Sequence, residues 1–338
     1  MKGTRAMKYS ILAELRENYP SLIKGASVYN DYVSKRSMSD LCDAINRVGF
    51  ECTYFGGMKE LLSAYMEHTD ISNTIFINYN YGLPAPYKRT QSPTLLELMN
   101  AKYSGADPFV ALLVNDKEFT KKILRSVNIL TPRSMLVFNA EGLCEKLNLS
   151  KIQLPLVVKP NCEGSSLGIL SDSLCDSYSN AASVTKKLLP RFREVIIEQY
   201  IAGYECTVWL VGNPHNFLLV APLLVSDGKK YFFDHRIFTM HDKANHVRQY
   251  HRPEKVLGVD RVFEIKQIAM RIFAELGLRD YARIDFRITE DSIYFIEANA
   301  LPIFSKTSEI GSIAQLYETT YDDICRLVVN AINSRLVT

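Results

Sequence analysis

The chain has 338 residues, of which 47% are hydrophobic and 23% are charged, and 40 lysines and arginines against 37 acidic residues leave a net charge of +3. This length suggests two or three domains, and the small charge excess argues against sequence-independent binding of nucleic acid. No apolar run approaches the roughly 20 residues that a membrane span needs, so we expect no membrane partners. The seven cysteines are scattered and include no CxxC pair, so we expect a cytoplasmic protein without a disulfide framework.

The first third of the chain alternates between strand and helix patterns, which favours a parallel sheet covered by helices. Strands are predicted at residues 26–29, 50–55 and 74–78. A helix is predicted at 39–48, because apolar residues recur there at helical spacing, and Gly49 provides its stop.

Further elements are predicted in the rest of the chain. The predicted helices are 116–127, 184–189, 261–276 and 321–336. The predicted strands are 154–159, 195–198, 207–211, 217–224, 281–288 and 292–298, the last two joined by a turn. Between them, residues 226–253 are polar and lack periodicity, which is typical of a functional lid or a flexible surface loop.

The first candidate for chemistry is Lys159 with the loop that follows it. Lys159 ends a predicted buried strand, and the loop contains two glycines and the hydroxyls of Ser165 and Ser166. Backbone N–H groups, hydroxyls and a lysine are suited to phosphate oxygens. A plain surface turn is the alternative, since neither a Walker A loop nor a GxGxxG loop is present.

The second candidate is the predicted strand pair near the C-terminus. Alternation places Arg283 and Asp285 on one face of the first strand, and Glu297 and Asn299 on one face of the second. Two carboxylates and an amide oxygen form a set of hard ligands that is suited to Mg²⁺. The alternative is an exposed hairpin with a charged outer face.

The third candidate is the segment 198–205, which joins the second and third parts of the chain. Its backbone could pair with a planar base, and Glu205 could accept hydrogen bonds from ribose hydroxyls. Glu198 and Glu205 as solvated surface acids are the alternative.

Together, these motifs resemble the ATP-grasp superfamily, and most closely its D-alanine–D-alanine ligase branch. The resemblance extends roughly from residue 92 to the C-terminus and includes LPLVVKPNCEGSSLGI, VIIEQYIAGYECTVWLVGN, YARIDF and YFIEANALP. It implies an α/β ATP-grasp fold with three domains. These are an N-terminal parallel-sheet domain at 1–104, a central subdomain at 105–203, and a C-terminal subdomain at 204–338 with a lid and a metal site.

The resemblance also implies roles for individual residues. For ATP, it implies phosphate contacts by Lys117, Lys159, Ser165 and Ser166. It implies adenine contacts by Glu198, Gln199 and Ile201, and a ribose contact by Glu205. Two Mg²⁺ ions, with Mn²⁺ as an alternative, would be held by Asp285, Glu297 and Asn299. Arg283 would lie beside an acyl phosphate, with Ser165 closing over the site, and Ser308 would hold the carboxylate of the second substrate.

Other stretches differ from the family pattern. NDYVSKRSMSD replaces the N-terminal motif whose glutamate binds an ammonium, INYNYGLPAPYKR replaces HGxxGEDG, and Ile303 replaces a glycine. In the lid, DHRIFTMHDK lacks the usual lysine and tyrosine, for which Arg236, His241 or Lys243 could substitute. The lid is also similar to that of D-alanine–D-lactate ligases, in which a histidine at the place of His241 disfavours an ammonium. Four histidines at 235, 241, 246 and 251 have spacings that fit no usual metal site.

The function implied is ATP-dependent joining of a carboxylate to an amine through an acyl phosphate. Because the substrate-reading half differs, the main hypothesis is a ligase for an amino acid or small peptide other than plain D-alanine, in specialised metabolism. The alternatives are a D-alanine–D-alanine or D-alanine–D-lactate ligase and a non-catalytic nucleotide-binding protein. The resemblance also implies a homodimer.

Overall fold

The computed structural model of the chain describes residues 7–19, 32–85, 87–164, 166–239, 241–242, 245 and 247–336. The strand predicted at 26–29 lies outside these residues, and so do Ser165, Lys243 and His246.

The first sheet is parallel and has four strands in the order β2-β1-β3-β4. Its strands are β1 (Lys8–Leu12), β2 (Cys52–Gly56), β3 (Thr74–Asn78) and β4 (Lys102–Tyr103). The helices of this part are α1 (Lys35–Arg47), α2 (Met58–Met66), α3 (Gln91–Leu98) and α4 (Pro108–Asn115). Helix α1 begins where the Ser34 side chain accepts a hydrogen bond from the Ser37 N–H, and it buries an apolar stripe against the sheet.

The second sheet is antiparallel and has four strands in the order β5-β8-β6-β7. Its strands are β5 (Ser134–Val137), β6 (Leu156–Pro160), β7 (Leu174–Cys175) and β8 (Val195–Gln199). The helices of this part are α5 (Lys117–Ser126), α6 (Leu143–Ser150) and α7 (Tyr178–Leu188). Asp116 caps the start of helix α5: its carboxylate accepts a hydrogen bond from the Phe119 N–H, and Lys117 is the first residue of the helix.

The third sheet has six strands, with β12-β10-β9-β13-β14 as its main path and β11 paired to β9. Its strands are β9 (Gly203–Asn213), β10 (Asn216–Ser226), β11 (Phe232–Phe233), β12 (Gln249–His251), β13 (Asp280–Ile288) and β14 (Ile293–Asn299). The helices of this part are α8 (Glu254–Leu257), α9 (Val259–Glu275), α10 (Glu309–Leu316) and α11 (Tyr321–Leu336). Short 3₁₀ segments elsewhere are Arg16–Asn18, Lys88–Thr90 and Ser171–Ser173.

One buried cluster connects the beginning and the end of the chain. It contains Tyr9 and Ile77 from the first sheet, Leu41 from α1, Trp209 from β9 and Ile324 from α11. Helix α11 thus packs against the first sheet and the third at once. Within the described residues, each sheet draws its strands from one continuous part of the chain, and the three-domain division at 104 and 203 stays a prediction.

A buried carboxylate also joins these parts. Asp280, at the start of β13, has no exposed surface and accepts hydrogen bonds from the guanidinium of Arg335 at 2.9 and 2.6 Å. It accepts a third hydrogen bond, of 2.9 Å, from the Gly105 N–H, and Arg335 also donates to the Tyr103 carbonyl at 2.7 Å. Asp280 therefore links the third sheet, α11 and the chain that leaves the first sheet.

None of the helices in the described part of the chain combines the length and the apolar character that a membrane crossing requires.

Candidate functional site

A cavity of about 740 Å³ lies between the second sheet and the third. Each of five strands contributes an ionisable side chain to its lining: Lys159 from β6, Glu198 from β8, Glu205 from β9, Asp285 from β13 and Glu297 from β14. The cavity therefore brings together residues from all three candidate motifs.

The two acidic strands meet with their carboxylates opposite each other. In the antiparallel register Asp285 faces Glu297 and Arg283 faces Asn299. The Arg283 guanidinium donates to both oxygens of Asp285, from Nε at 3.0 Å and from Nη2 at 2.9 Å. Thr207 of β9, which is the neighbour of Asp285 on its other side, donates to the same carboxylate. Pairing and strand alternation thus hold both carboxylates toward one space.

The electrostatics of this pair differ between its members. Desolvation raises the pKa of Asp285, with Arg283 acting in the opposite direction. Desolvation also favours the neutral form of Glu297, but Lys117, Lys159 and Arg283 together lower the pKa of this carboxyl. A cation between the carboxylates would stabilise both in the ionised form. Two carboxylates and the amide of Asn299 are oxygen donors that fit a hard divalent ion such as Mg²⁺.

Lysines form the opposite wall of this space. The Lys117 ammonium lies 3.7 Å from the Glu297 carboxylate and donates to the backbone carbonyl of Glu163 at 2.5 Å. Lys159 lies 2.5 Å from Glu198, and Lys121, one turn after Lys117, contacts the other oxygen of Glu198. Burial lowers the pKa of Lys159 to about 8, so that it remains mostly protonated at neutral pH. Glu198 is thus a buried counter-ion for two lysines, and the interpretation of Glu198 as a solvated acid is wrong.

Glu205 is enclosed by two arginines. Arg287 of β13 donates to one carboxylate oxygen at 3.1 Å, and Arg248 lies 3.2 Å from the other. The guanidinium of Arg287 also lies 5.4 Å from the ring centroids of Tyr200 and Phe233. A carboxylate oxygen can accept more than one hydrogen bond, so Glu205 keeps the capacity to bind a hydroxyl donor.

The remaining candidates occupy different places. Gln199, Ile201, Ser166 and Ser308 line the same cavity, and Ser308 lies directly before helix α10 with its hydroxyl 2.8 Å from the Ser305 carbonyl oxygen. Ser165 lies outside the described residues. The contacts with ATP and with the second substrate that were predicted for these residues therefore stay predictions.

Arg236 and His241, two of the three lid residues proposed to substitute for the missing lysine and tyrosine, do not line the cavity. His241 is exposed, and its imidazole contacts the side chain of Asn245. Arg236 binds Asp227 at 2.6 Å and Asp242 at 3.3 Å. Neither His241 nor Arg236 lines the cavity among the described residues, and Lys243 lies outside those residues.

The lid histidines that the structure describes do not form a cluster either. His235 contacts Asp176 at 2.6 Å, and His251 contacts Ser226 at 2.8 Å in the strand pair β10–β12. His246 lies outside the described residues. Among the described residues, no group of possible metal ligands contains a histidine.

Sequence reasoning missed Glu309, the first residue of α10. Its carboxylate accepts hydrogen bonds of 3.2 Å from Arg283 and from the Tyr250 hydroxyl. Arg283 is thereby held between two carboxylates, Asp285 and Glu309. The position of Glu309 directly after Ser308 is the one signal in the sequence that could have indicated it.

Comparison with known proteins shows the family to which the chain is similar. Residues 130–330 match the family model described as the D-Ala–D-Ala ligase C-terminus. A D-alanine–D-alanine ligase of Fusobacterium nucleatum is 31% identical over 235 residues, which are 70% of this chain and 73% of the relative. That of Thermotoga maritima is 24% identical over 317 residues, or 92% of this chain and 96% of the relative.

A solved structure is similar over nearly the whole chain. The D-alanine–D-alanine ligase of Bacillus anthracis in complex with ATP aligns with a TM-score of 0.73 at 19% identity, covering 97% of each chain. The α/β ATP-grasp fold expected from the sequence is therefore confirmed. By its matching residues and its fold, the chain belongs to the D-alanine–D-alanine ligase family of ATP-grasp enzymes, which are ATP-dependent carbon–nitrogen ligases.

Proposed function

We propose that the chain joins two molecules of D-alanine, with ATP as the phosphoryl donor. The relatives are named D-alanine–D-alanine ligases, and they favour this reaction over the altered substrate that the sequence differences suggested. The observation that carries the proposal is the facing pair Asp285 and Glu297, with Arg283 beside it, in one cavity with Lys117 and Lys159. Membership of a ligase family argues against the non-catalytic alternative.

The proposed reaction has two chemical steps. The carboxylate of the first D-alanine attacks the terminal phosphorus of ATP, which forms an acyl phosphate and releases ADP. The amine of the second D-alanine then attacks the acyl carbon, a C–N bond forms, the C–O bond to phosphate breaks, and the amine loses a proton. Phosphoryl transfer of this kind depends mainly on positioning and charge neutralisation.

The charged residues would divide these tasks. Lys117 and Lys159 would hold phosphate oxygens, and Arg283 would face the negative charge that develops on the acyl oxygen during attack by the amine. Asp285, Glu297 and Asn299 would hold Mg²⁺, which supplies charge neutralisation at the phosphate oxygens when it is bound. Two ions and exchange of Mg²⁺ for Mn²⁺ are part of the proposal.

The acceptor would lie near the start of α10. The hydroxyl of Ser308 and the nearby backbone N–H groups of this helix are suited to a carboxylate. On the other side of this region, Ser37 of α1 lies 3.1 Å from the Ser305 hydroxyl and brings the first part of the chain to the cavity.

A second candidate function retains the ATP chemistry but uses another acceptor. The carboxylate of Glu309 and the hydroxyl of Tyr250 meet beside Ser308, at the end of the cavity proposed for the acceptor. These polar groups favour an acceptor whose side chain carries a hydrogen-bond donor, such as a D-amino acid with a hydroxyl or an ammonium.

The purified full chain tests both candidates in an assay for ADP release with MgATP. With D-alanine alone, we expect ADP release and D-alanyl-D-alanine by mass spectrometry. The same assay, with D-serine, D-lysine, D-lactate or a dipeptide as the second substrate, tests the alternative acceptors. Turnover with a second substrate of this panel but not with D-alanine alone would favour the second candidate. No substrate-dependent ADP release with any pair would overturn both.

Replacing Lys117 by Met is expected to lower kcat/KM for ATP by about 10- to 100-fold. This factor corresponds to the net free energy that one hydrogen bond to a charged group usually contributes. The reason is that Lys117 lies between the loop after β6 and the Glu297 carboxylate. Steady-state kinetics with varied ATP measure the effect. Lys122→Met is the matched control, since Lys122 is on the same helix but exposed, and its kinetics should not change. An unchanged kcat/KM in Lys117→Met would contradict a phosphate role for Lys117.

A further inference from the structure

The segment 226–253 returns to the third sheet in a short strand, and three consecutive residues at this return line the cavity: Arg248, Gln249 and Tyr250. Strand β12 pairs with the edge of β10, with Tyr250 opposite Val225 and Gln249 opposite Ser226. Arg248 lies directly before β12, and Tyr250 is in its middle. The hydroxyl of Tyr250 reaches Glu309, which contacts Arg283.

Arg248 is held in place but retains donor capacity. Its Nη2 lies 3.2 Å from Glu205, and its guanidinium carbon lies 4.6 Å from the centroid of the Phe238 ring. Its Nε is buried and has no hydrogen-bond partner in the part of the chain that the structure describes. A buried donor without a partner costs free energy. An acceptor that enters the cavity and accepts a hydrogen bond from Nε would remove this cost.

The surroundings of Arg248 indicate what that acceptor is. The guanidinium of Arg248 contacts Glu205, the proposed ribose contact, and the negative charges of Asp285 and Glu297 also act on it. A nucleotide that spans from Glu205 to these carboxylates would carry its phosphates past Arg248. Arg236, by contrast, is paired with Asp227 and Asp242.

We propose that Arg248 binds the phosphate chain of the nucleotide. This inference deepens the proposed function and rests on it. A guanidinium is always charged and can form two parallel hydrogen bonds to a phosphate group. With Lys117, Lys159 and Arg283, Arg248 is the fourth cation directed at the negative charge of ATP.

Titration calorimetry of the full chain tests this inference with three probes: adenosine, ADP and the non-hydrolysable ATP analogue AMPPNP, the latter two with Mg²⁺. In Arg248→Met, we expect the affinity for AMPPNP to fall by about 10- to 100-fold, with adenosine affected less than about twofold. Arg248→Lys, which keeps the charge, should recover part of the loss. Arg252→Met is the matched control, because Arg252 is next to β12 but pairs with Glu254 and stacks on Tyr317.

The comparison of adenosine with AMPPNP distinguishes the possible results. Equal weakening of adenosine and AMPPNP would mean that Arg248 acts only by orienting Glu205, and would overturn a phosphate contact. Unchanged binding of AMPPNP in both Arg248 variants would overturn it as well. If the wild-type chain binds none of the probes, the proposed function itself fails, which is a separate outcome.

Discussion

Replacing Asp285 by Asn is expected to lower the rate of ADP release by about 100- to 1,000-fold, the cost typical of removing a group that stabilises charge in the transition state. Asp285 is the carboxylate that faces Glu297, and it also orients Arg283 through two hydrogen bonds. Asparagine keeps the shape of the side chain but removes the charge that a divalent cation needs. The Mg²⁺ concentration for half-maximal activity should therefore rise as well.

The control for this variant comes from the same pair of strands. Asp291, in the turn between β13 and β14, is exposed, and Asp291→Asn should leave ADP release unchanged. The thermal unfolding midpoint of Asp285→Asn should stay near that of the wild type, which separates a catalytic effect from unfolding. Full turnover in Asp285→Asn would remove the basis for all three predicted metal ligands.

Replacing Asp280 by Ala is expected to lower the free energy of unfolding by about 3–5 kcal/mol, as is typical when one partner of a buried ion pair is removed. Asp280 is fully buried and satisfies Arg335 and the Gly105 N–H together. Without the carboxylate, the Arg335 guanidinium and the Gly105 N–H lose a charged acceptor. Urea unfolding monitored by circular dichroism measures the change.

A second acidic residue provides the comparison for Asp280. Asp323 also pairs with an arginine, Arg326, but both residues are exposed on helix α11. Exposed ion pairs contribute little to stability because water screens them, so Asp323→Ala should leave the urea midpoint nearly unchanged. Equal midpoints for the wild type and Asp280→Ala would show that this buried link does not hold the parts of the chain together.

Local pattern was sufficient to predict the strand pair of the site. Alternation alone placed Arg283 with Asp285, and Glu297 with Asn299, and the helix predicted at 321–336 has the same bounds in the structure. Strand β1 was missed because Lys8 and Ser10 interrupt its apolar residues, although Ser10 is buried and only Lys8 is exposed. The burial of Ser10 depends on neighbours that are distant in sequence.

The residues that sequence reasoning missed all act through long-range contacts. Lys121 meets Glu198 from another element, and Glu309 meets Arg283 only because α10 begins beside β13. Arg248 is 43 positions away from Glu205, which it contacts in space. Neither spacing nor composition reveals such partners before the chain is folded. The homodimer stays a prediction.

The packing of helix α11 against both the first sheet and the third has a consequence for synthesis. The cluster that contains Tyr9, Ile77 and Leu41 is completed by Ile324 and other apolar residues of α11. During translation, these N-terminal side chains leave the ribosome long before residues 321–336. Part of the apolar surface of the N-terminal sheet therefore stays exposed until α11 has been synthesised. Chaperones that bind nascent chains would bind this exposed surface during that time.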